Sequence, residues 1–253
     1  MTPLRNIAAV TADTERVVNR ALLLRIVSGV SLAIIAVAAT AIGGTAFLAL
    51  VVVAVVLMAW EWDRLCGGSG WGLLPAMHAG IVAVTVVLFA VNSPGTATAM
   101  GAAGVGVIAV SAVIVNRAPL WAVAGFLCSA VPAAAAIWLR FEVELGAVLI
   151  LWLFAVIWST DACAYFTGKA LGGAKLAPAI SPGKTWSGAV GGLTGAVLAA
   201  EFIAWWAGLG PVWLAALAGA VVSVAGQAGD LAISRIKRHF RVKDSSWLIP
   251  GHG

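Results

Sequence analysis

The chain has 253 residues, of which 62% are hydrophobic and 10% charged, against about 25% charged in an ordinary soluble domain. Fifteen basic and ten acidic side chains cannot cover the surface of a water-soluble fold of this size, so that class is excluded. The net charge of +5 would suggest a nucleic-acid partner in a soluble domain; here membrane orientation explains it, and no nucleic acid is expected.

Apolar residues gather in blocks of about 16 to 22, the helix length that crosses about 30 Å of hydrocarbon. A transmembrane barrel would alternate instead. The expected fold is therefore all-α: a polytopic membrane helical bundle of about eight transmembrane helices. Residues 1–21 are polar and carry no short apolar core with a small-residue cleavage site, so they read as a cytoplasmic N-terminal lead-in rather than a signal peptide. Spans are predicted over 22–41, 45–60, 73–91, 98–115, 120–139 and 145–159. A cytoplasmic segment over 160–187 follows, then spans over 188–207 and 211–229, and a cytoplasmic C-terminal segment over 230–253. With the N-terminus inside, fourteen of the fifteen Lys and Arg residues fall on the cytoplasmic side and Arg140 alone lies outside, a strong positive-inside pattern.

Small residues recur in the fourth (Gly101, Gly104, Gly106), seventh (Gly191, Gly192, Gly195) and eighth (Ala215, Ala218, Gly219) spans, where they let helix backbones approach closely in lipid. Trp60, Trp62, Trp71, Trp121, Trp138, Trp158, Trp186, Trp205 and Trp206 lie near span ends and read as an interfacial belt. Cys66, Cys128 and Cys163 stand apart, without disulfide or zinc spacing, and read as packing residues. Glu201, inside the seventh span, reads as snorkelling or pairing with Arg140 at the outer interface; His78 and His239 read as structural. No repeat between the two halves is evident.

The first half is chemically quiet, and the candidate chemistry lies in the two cytoplasmic segments. If the sixth helix continues past the membrane, Asp161, Tyr165 and Lys169 share one face. Gly183-Lys184-Thr185 is not a nucleotide-binding P-loop, since Pro178 stands where that motif needs glycine and no strand precedes it. Ser181-Pro-Gly-Lys-Thr185 instead reads as a turn into the seventh helix whose lysine, hydroxyls and free N–H groups suit an anion; a basic loop obeying the charge rule is the alternative. Further on, Gln227, Asp230, Ser234, Lys237, Arg238 and Arg241 recur at steps of three and four on one side of an emerging helix. A carboxylate suits magnesium and the basic groups beyond it suit phosphate, so the stripe resembles a metal–phosphate clamp. Lipid-headgroup anchoring accounts for the basic residues alone, without Asp230 and Asp244.

These residues resemble a known family. Ser234-Arg-Ile-Lys-Arg238, Lys243-Asp244 and Pro250-Gly-His-Gly253 are similar to the C-terminal signature of the bacterial phosphatidate cytidylyltransferases (CDP-diacylglycerol synthases). Asp161-Ala-Cys-Ala-Tyr-Phe-Thr-Gly168 through Lys175 to Gly188 resembles a cytoplasmic loop of the same enzymes. The resemblance covers roughly the last hundred residues and implies formation of CDP-diacylglycerol and pyrophosphate from CTP and phosphatidate. It implies membrane lipid as surroundings, the bacterial cytoplasmic membrane as location with the site facing the cytoplasm, and a homodimer as an option. It further implies Mg2+, with room for a second cation such as K+. By the same resemblance Asp161, Asp230, Lys237 and Arg238 form the catalytic set, with Asp230 the metal ligand, and Ser181, Lys184, Thr185, Ser234, Lys243, Asp244 and His252 contact substrate. The family pattern runs on past Gly253 to a further aspartate-bearing stretch and a last membrane helix, so this sequence is expected to be a shortened form of the pattern. A transporter and a non-catalytic lipid-binding protein are the two readings of other classes.

Overall fold

The computed structural model describes residues 23, 24 and 26–242. Eight helices and one hairpin follow in chain order: α1 (Ile26–Ile42), α2 (Gly44–Leu65), α3 (Leu73–Ala90), α4 (Pro94–Ile114), α5 (Pro119–Glu142), α6 (Gly146–Leu171), β1 (Lys175–Ala177), β2 (Ser181–Thr185), α7 (Trp186–Ala207) and α8 (Val212–His239). The helices α2 to α8 are long and apolar enough to cross a membrane, and α1 is a shorter apolar helix. The chain is an all-α, multi-pass membrane bundle. Proline at the first turn of α4 and α5 sets where each begins, because its missing N–H lies where the helix has no partner for one.

Three helices overrun their expected C-terminal ends by five residues or more: five in α2, ten in α8 and twelve in α6. The apolar pattern marks only where lipid stops, whereas the backbone stops where the chain meets a breaker. For α6 that breaker is Gly172-Gly173, both at positive φ (61° and 97°), a conformation that favours glycine. The segment over 160–187, read as a loop, is thus helix as far as Leu171. It then becomes a two-stranded antiparallel hairpin, β1 against β2, with Lys175 opposite Thr185 and Ala177 opposite Ser181. Ser181 to Thr185, read as a turn, is the second strand of that hairpin, and Pro182 is tolerated there because a two-stranded sheet is all edge.

The helices form two groups. In α2 to α5, large side chains fill a common core around Phe47, Val55, Val82, Val86, Ile108, Phe126 and Ile137. In α6 to α8 the buried apolar core is Val156, Ala196 and Ala200, and the helices meet backbone to backbone. A Cβ on Gly188 would lie 2.8 Å from the Ala164 carbonyl oxygen, and one on Gly192 2.8 Å from that of Thr160. The small-residue reading therefore holds for α7 and for Gly219 of α8, whose Cβ would lie 2.6 Å from that of Ala200. It fails for Gly106 of α4, where nothing lies within 4 Å.

Two features of the first group depart from the sequence reading. Trp60, Trp62 and Trp121 are not belt residues: Trp60 is 8% exposed, and Trp62 donates its indole N–H to the Trp121 carbonyl at 2.7 Å. Trp71, Trp138, Trp158, Trp186, Trp205 and Trp206 are exposed, as a belt requires. The quiet half also holds a polar cavity of about 200 Å³, lined by Asp63, Cys66, His78, Arg117, Trp121 and Phe240 among others. In it Arg117 pairs with Asp63 at 3.2 Å. Burial, opposed by the Arg117 guanidinium, pushes the Cys66 thiol up to about 11, so it stays protonated and unreactive. His78 is held by Ser129 at 2.6 Å and packs against Phe126, as a structural histidine does. At the far end Arg140 donates to the Thr40 carbonyl at 3.0 Å, tying α5 to α1.

Candidate active site

Residues from five elements line one cavity of about 580 Å³ at the hairpin end, Leu176 of β1 among them. Asp161, Tyr165 and Lys169 come from α6, Ser181, Gly183, Lys184 and Thr185 from β2, Gly188 and Ala189 from α7, and Gln227 and Asp230 from α8. Because α6 stays helical to Leu171, its three polar residues do share a face, one turn apart. In the same cavity Lys184 Nζ and Asp230 Oδ2 form an ion pair between β2 and α8. Asp230 is 62% exposed and Lys184 27%, so the pair is open to solvent and its partners can be exchanged.

A buried polar chain sets the register that brings Asp161 and Asp230 to the same cavity. Thr160 Oγ1 lies 3.1 Å from Ser223 Oγ. Gln227 donates to Ser223 Oγ at 3.2 Å and to the Ala189 carbonyl at 3.4 Å. Thr160 and Ser223 are 4% and 1% exposed; the Thr160 hydroxyl also donates to the Val156 carbonyl of its own helix at 2.8 Å, so both buried hydroxyls are satisfied. Asp161 follows Thr160 directly, and Asp230 stands seven residues, two turns, beyond Ser223. Thr160 and Ser223 lay outside the sequence-based site set, and Gln227 appeared there only as part of a stripe. The signal for them was present in the four-residue and three-residue steps from Ser223 through Gln227 to Asp230.

Thr185 lines the cavity, but its hydroxyl oxygen accepts from the Gly188 N–H at 3.1 Å and caps α7. The Trp186 N–H donates to the Ala174 carbonyl at 3.0 Å. The start of α7, read as a source of free N–H groups, is therefore partly occupied by its own hairpin. Gly168 and Gly188 meet beside this cap: a Cβ on Gly168 would lie 2.9 Å from Thr185 Oγ1, which is how α6, hairpin and α7 converge on one point.

The basic end of the α8 stripe sits apart from this cavity. Ser234, Lys237 and Arg238 lie one to two turns beyond Asp230 and are not among its lining residues. Arg238 donates to the Ile180 carbonyl in the hairpin turn at 3.4 Å, bracing the hairpin against α8. Lys243, Asp244 and His252 lie outside the described residues.

The cavity brings together two carboxylates, two ammonium groups and a serine hydroxyl, which suits binding of phosphate groups together with a cation. Magnesium asks for one or two carboxylates and takes its remaining oxygens from water and substrate phosphates. Asp161 and Asp230 match that demand. Among the described residues no group of three or more His, Cys, Asp or Glu is placed to cage an ion by itself.

The sequence model of the cytidylyltransferase family matches residues 23–253 of this chain. The phosphatidate cytidylyltransferase of Brucella melitensis is 37% identical over 235 residues, spanning 90% of this chain and 84% of the relative. Those of Haemophilus influenzae and Bacillus subtilis are 44% identical over 113 residues and 46% over 111. These two matches span 43% and 44% of this chain, and 39% and 41% of the relatives. A match over nearly the whole described chain, joined to a multi-pass bundle with a phosphate-suited cavity at one end, places the protein in the cytidylyltransferase family as a membrane nucleotidyltransferase.

Proposed function

We propose that this enzyme is a phosphatidate cytidylyltransferase: it joins CTP and phosphatidate to give CDP-diacylglycerol and pyrophosphate, with Mg2+, at the cytoplasmic face of a bacterial membrane. The observation that carries the reading is the meeting of Asp161, Asp230 and Lys184, from three separate elements, in one cavity at the hairpin end. The name borne by relatives at 37% identity over 90% of the chain supports the substrates. The charge pattern supports the orientation, since Lys169, Lys184 and Arg238 cluster at the hairpin end while Arg140 sits near the α1–α2 junction at the other.

In this reading a phosphate oxygen of phosphatidate forms the new bond to the α-phosphorus of CTP. The bond from that phosphorus to the bridging oxygen breaks, and pyrophosphate leaves with the electron pair. The nucleophile is already an anion, so no activated serine or cysteine is required; the work is to hold two mutually repelling polyanions in line. Asp161 and Asp230 would hold Mg2+, which when bound offsets phosphate charge; a second cation such as K+ belongs to the same reading. An incoming triphosphate competes with Asp230 for Lys184, and Ser181 on the same strand offers a hydroxyl to it. Arg238 braces the hairpin through the Ile180 carbonyl, and Lys237 and Arg238 together would extend the basic surface beyond Asp230. A homodimer belongs to the same reading.

The test uses the full chain purified in mixed micelles with labelled CTP, phosphatidate and Mg2+. The expected result is labelled lipid together with stoichiometric pyrophosphate, both abolished by chelation. Absence of lipid-linked CMP under these conditions would overturn the proposal.

A further inference from the structure

The two ammonium groups of the cavity are not equivalent. Lys184 on the hairpin is tied to Asp230. Lys169, on α6, has no carboxylate partner among the described residues; its Nζ stands 5.7 Å from the centre of the Tyr165 ring. A cation held over an aromatic face keeps its N–H donors free for an anion.

The surroundings of Lys169 indicate which anion. Tyr165 and Phe166 are 62% and 67% exposed and lie edge to face with ring centres 5.4 Å apart. They sit just beyond the apolar stretch of α6, where amphipathic rings mark the headgroup level of a bilayer. Lys169 is one turn further along the same face, the position from which a lysine reaches out of the hydrocarbon while its stem stays along it. The part of the lining built by Ser181, Gly183 and Lys184 belongs instead to the hairpin, a separate element between α6 and α7 that the Lys184–Asp230 and Arg238–Ile180 contacts hold against α8. The cavity therefore has a lipid-side pole on α6 and a hairpin-side pole on β2.

We propose that Lys169, seated on Tyr165, is the binding group for the phosphomonoester of the lipid substrate, and that Lys184 with Ser181 receives the nucleotide triphosphate. The assignment rests on the phosphatidate cytidylyltransferase reading and adds a division of labour to it. Phosphatidate slides in from the lipid across Tyr165 and Phe166 with its acyl chains still in the bilayer. Its phosphate docks on Lys169, and the triphosphate approaches across the hairpin, so the two anions meet in the cavity.

The test separates KM for the two substrates in mixed micelles. For Lys169→Met, which keeps the apolar stem, KM for phosphatidate is expected to rise about tenfold or more, as loss of a charge-assisted contact requires, with KM for CTP unchanged and Lys169→Arg restoring most of the loss. For Lys184→Met the CTP value rises instead. As a readout without turnover, short-chain phosphatidate alone should raise the thermal midpoint of the wild type and not that of Lys169→Met, while short-chain phosphatidylcholine should shift neither. The proposal is overturned if Lys169→Met leaves KM for phosphatidate within twofold, or raises KM for CTP as much. A wild type that makes no CDP-diacylglycerol would sink the underlying reading, an outcome distinct from both.

Discussion

The two helix groups solve the same problem, adhesion in lipid, by different means. In α2 to α5 the volume of Phe126, Ile108, Ile137 and their neighbours fills the space between helices. In α6 to α8 glycine and alanine bring backbones together, and the buried Thr160–Ser223–Gln227 chain fixes the register. Apolar side chains gain nothing from leaving lipid for one another, so packing and hydrogen bonds decide association. A side-chain-filled interface spends its length on apolar residues. A backbone-to-backbone interface needs only narrow stripes, which leaves the remaining faces of α6 and α8 free to carry Asp161, Tyr165, Lys169, Gln227 and Asp230 toward one cavity. The first group serves as scaffold and the second as site. They touch at the hairpin end through Trp121, whose ring lies 5.2 Å from those of both His239 and Phe240.

If that division holds, substitutions should separate turnover from stability. The largest effect is expected for Asp230→Asn: loss of about 10³ in turnover, near the upper end for removing one charge-stabilising group, with the thermal midpoint in detergent unchanged. Next, Phe126→Ala should cost about 3 kcal/mol of stability, read as a lowered midpoint, by opening a cavity in the scaffold core, while the folded fraction keeps its specific activity. Gly192→Leu should lose about 2 kcal/mol through overpacking against α6 and reduce activity as well, because it pushes apart the two helices that face the site; Gly106→Ala, placed in open space, should be close to silent in both assays. Apart from the near-silent Gly106→Ala control, the smallest effect is expected for Ser223→Ala, about 0.6 kcal/mol, the usual size of an interhelical hydrogen bond in a membrane, detected as a small midpoint shift. A Phe126→Ala protein that folds but has lost turnover would break the comparison, since the scaffold would then be taking part in the chemistry.

The membrane class, the number of helical segments and the two site-bearing regions were legible because each depends on a local property: apolar length, charge sidedness and residue spacing. The shared face of Asp161, Tyr165 and Lys169 followed from helical period alone. The hairpin was not legible, since Lys175–Ala177 is too short and Ser181–Thr185 is broken by Pro182 and Gly183, so neither carries an alternating pattern; they pair because α6 and α7 hold their ends together. Trp60, Trp62 and Trp121 were misread for a related reason. Position near a span end is a sequence property, but whether a ring faces lipid or a neighbouring helix is decided by tertiary packing. The Lys184–Asp230 pair joins residues 46 positions apart, and no local pattern connects them. The same holds for the capping role of Thr185: its residue type suits a substrate contact, but its hydroxyl oxygen accepts from the Gly188 N–H.

The central claim is that one site is assembled from α6 and α8 by Asp161 and Asp230 acting together. A double-mutant cycle on turnover tests it most directly, using Asp161→Asn, Asp230→Asn and the double variant, each checked for an unchanged thermal midpoint. Two carboxylates serving one cation should be strongly coupled, so the double variant is predicted to be little worse than the poorer single one. Losses that simply multiply would mean that the two aspartates act independently, and would contradict the account.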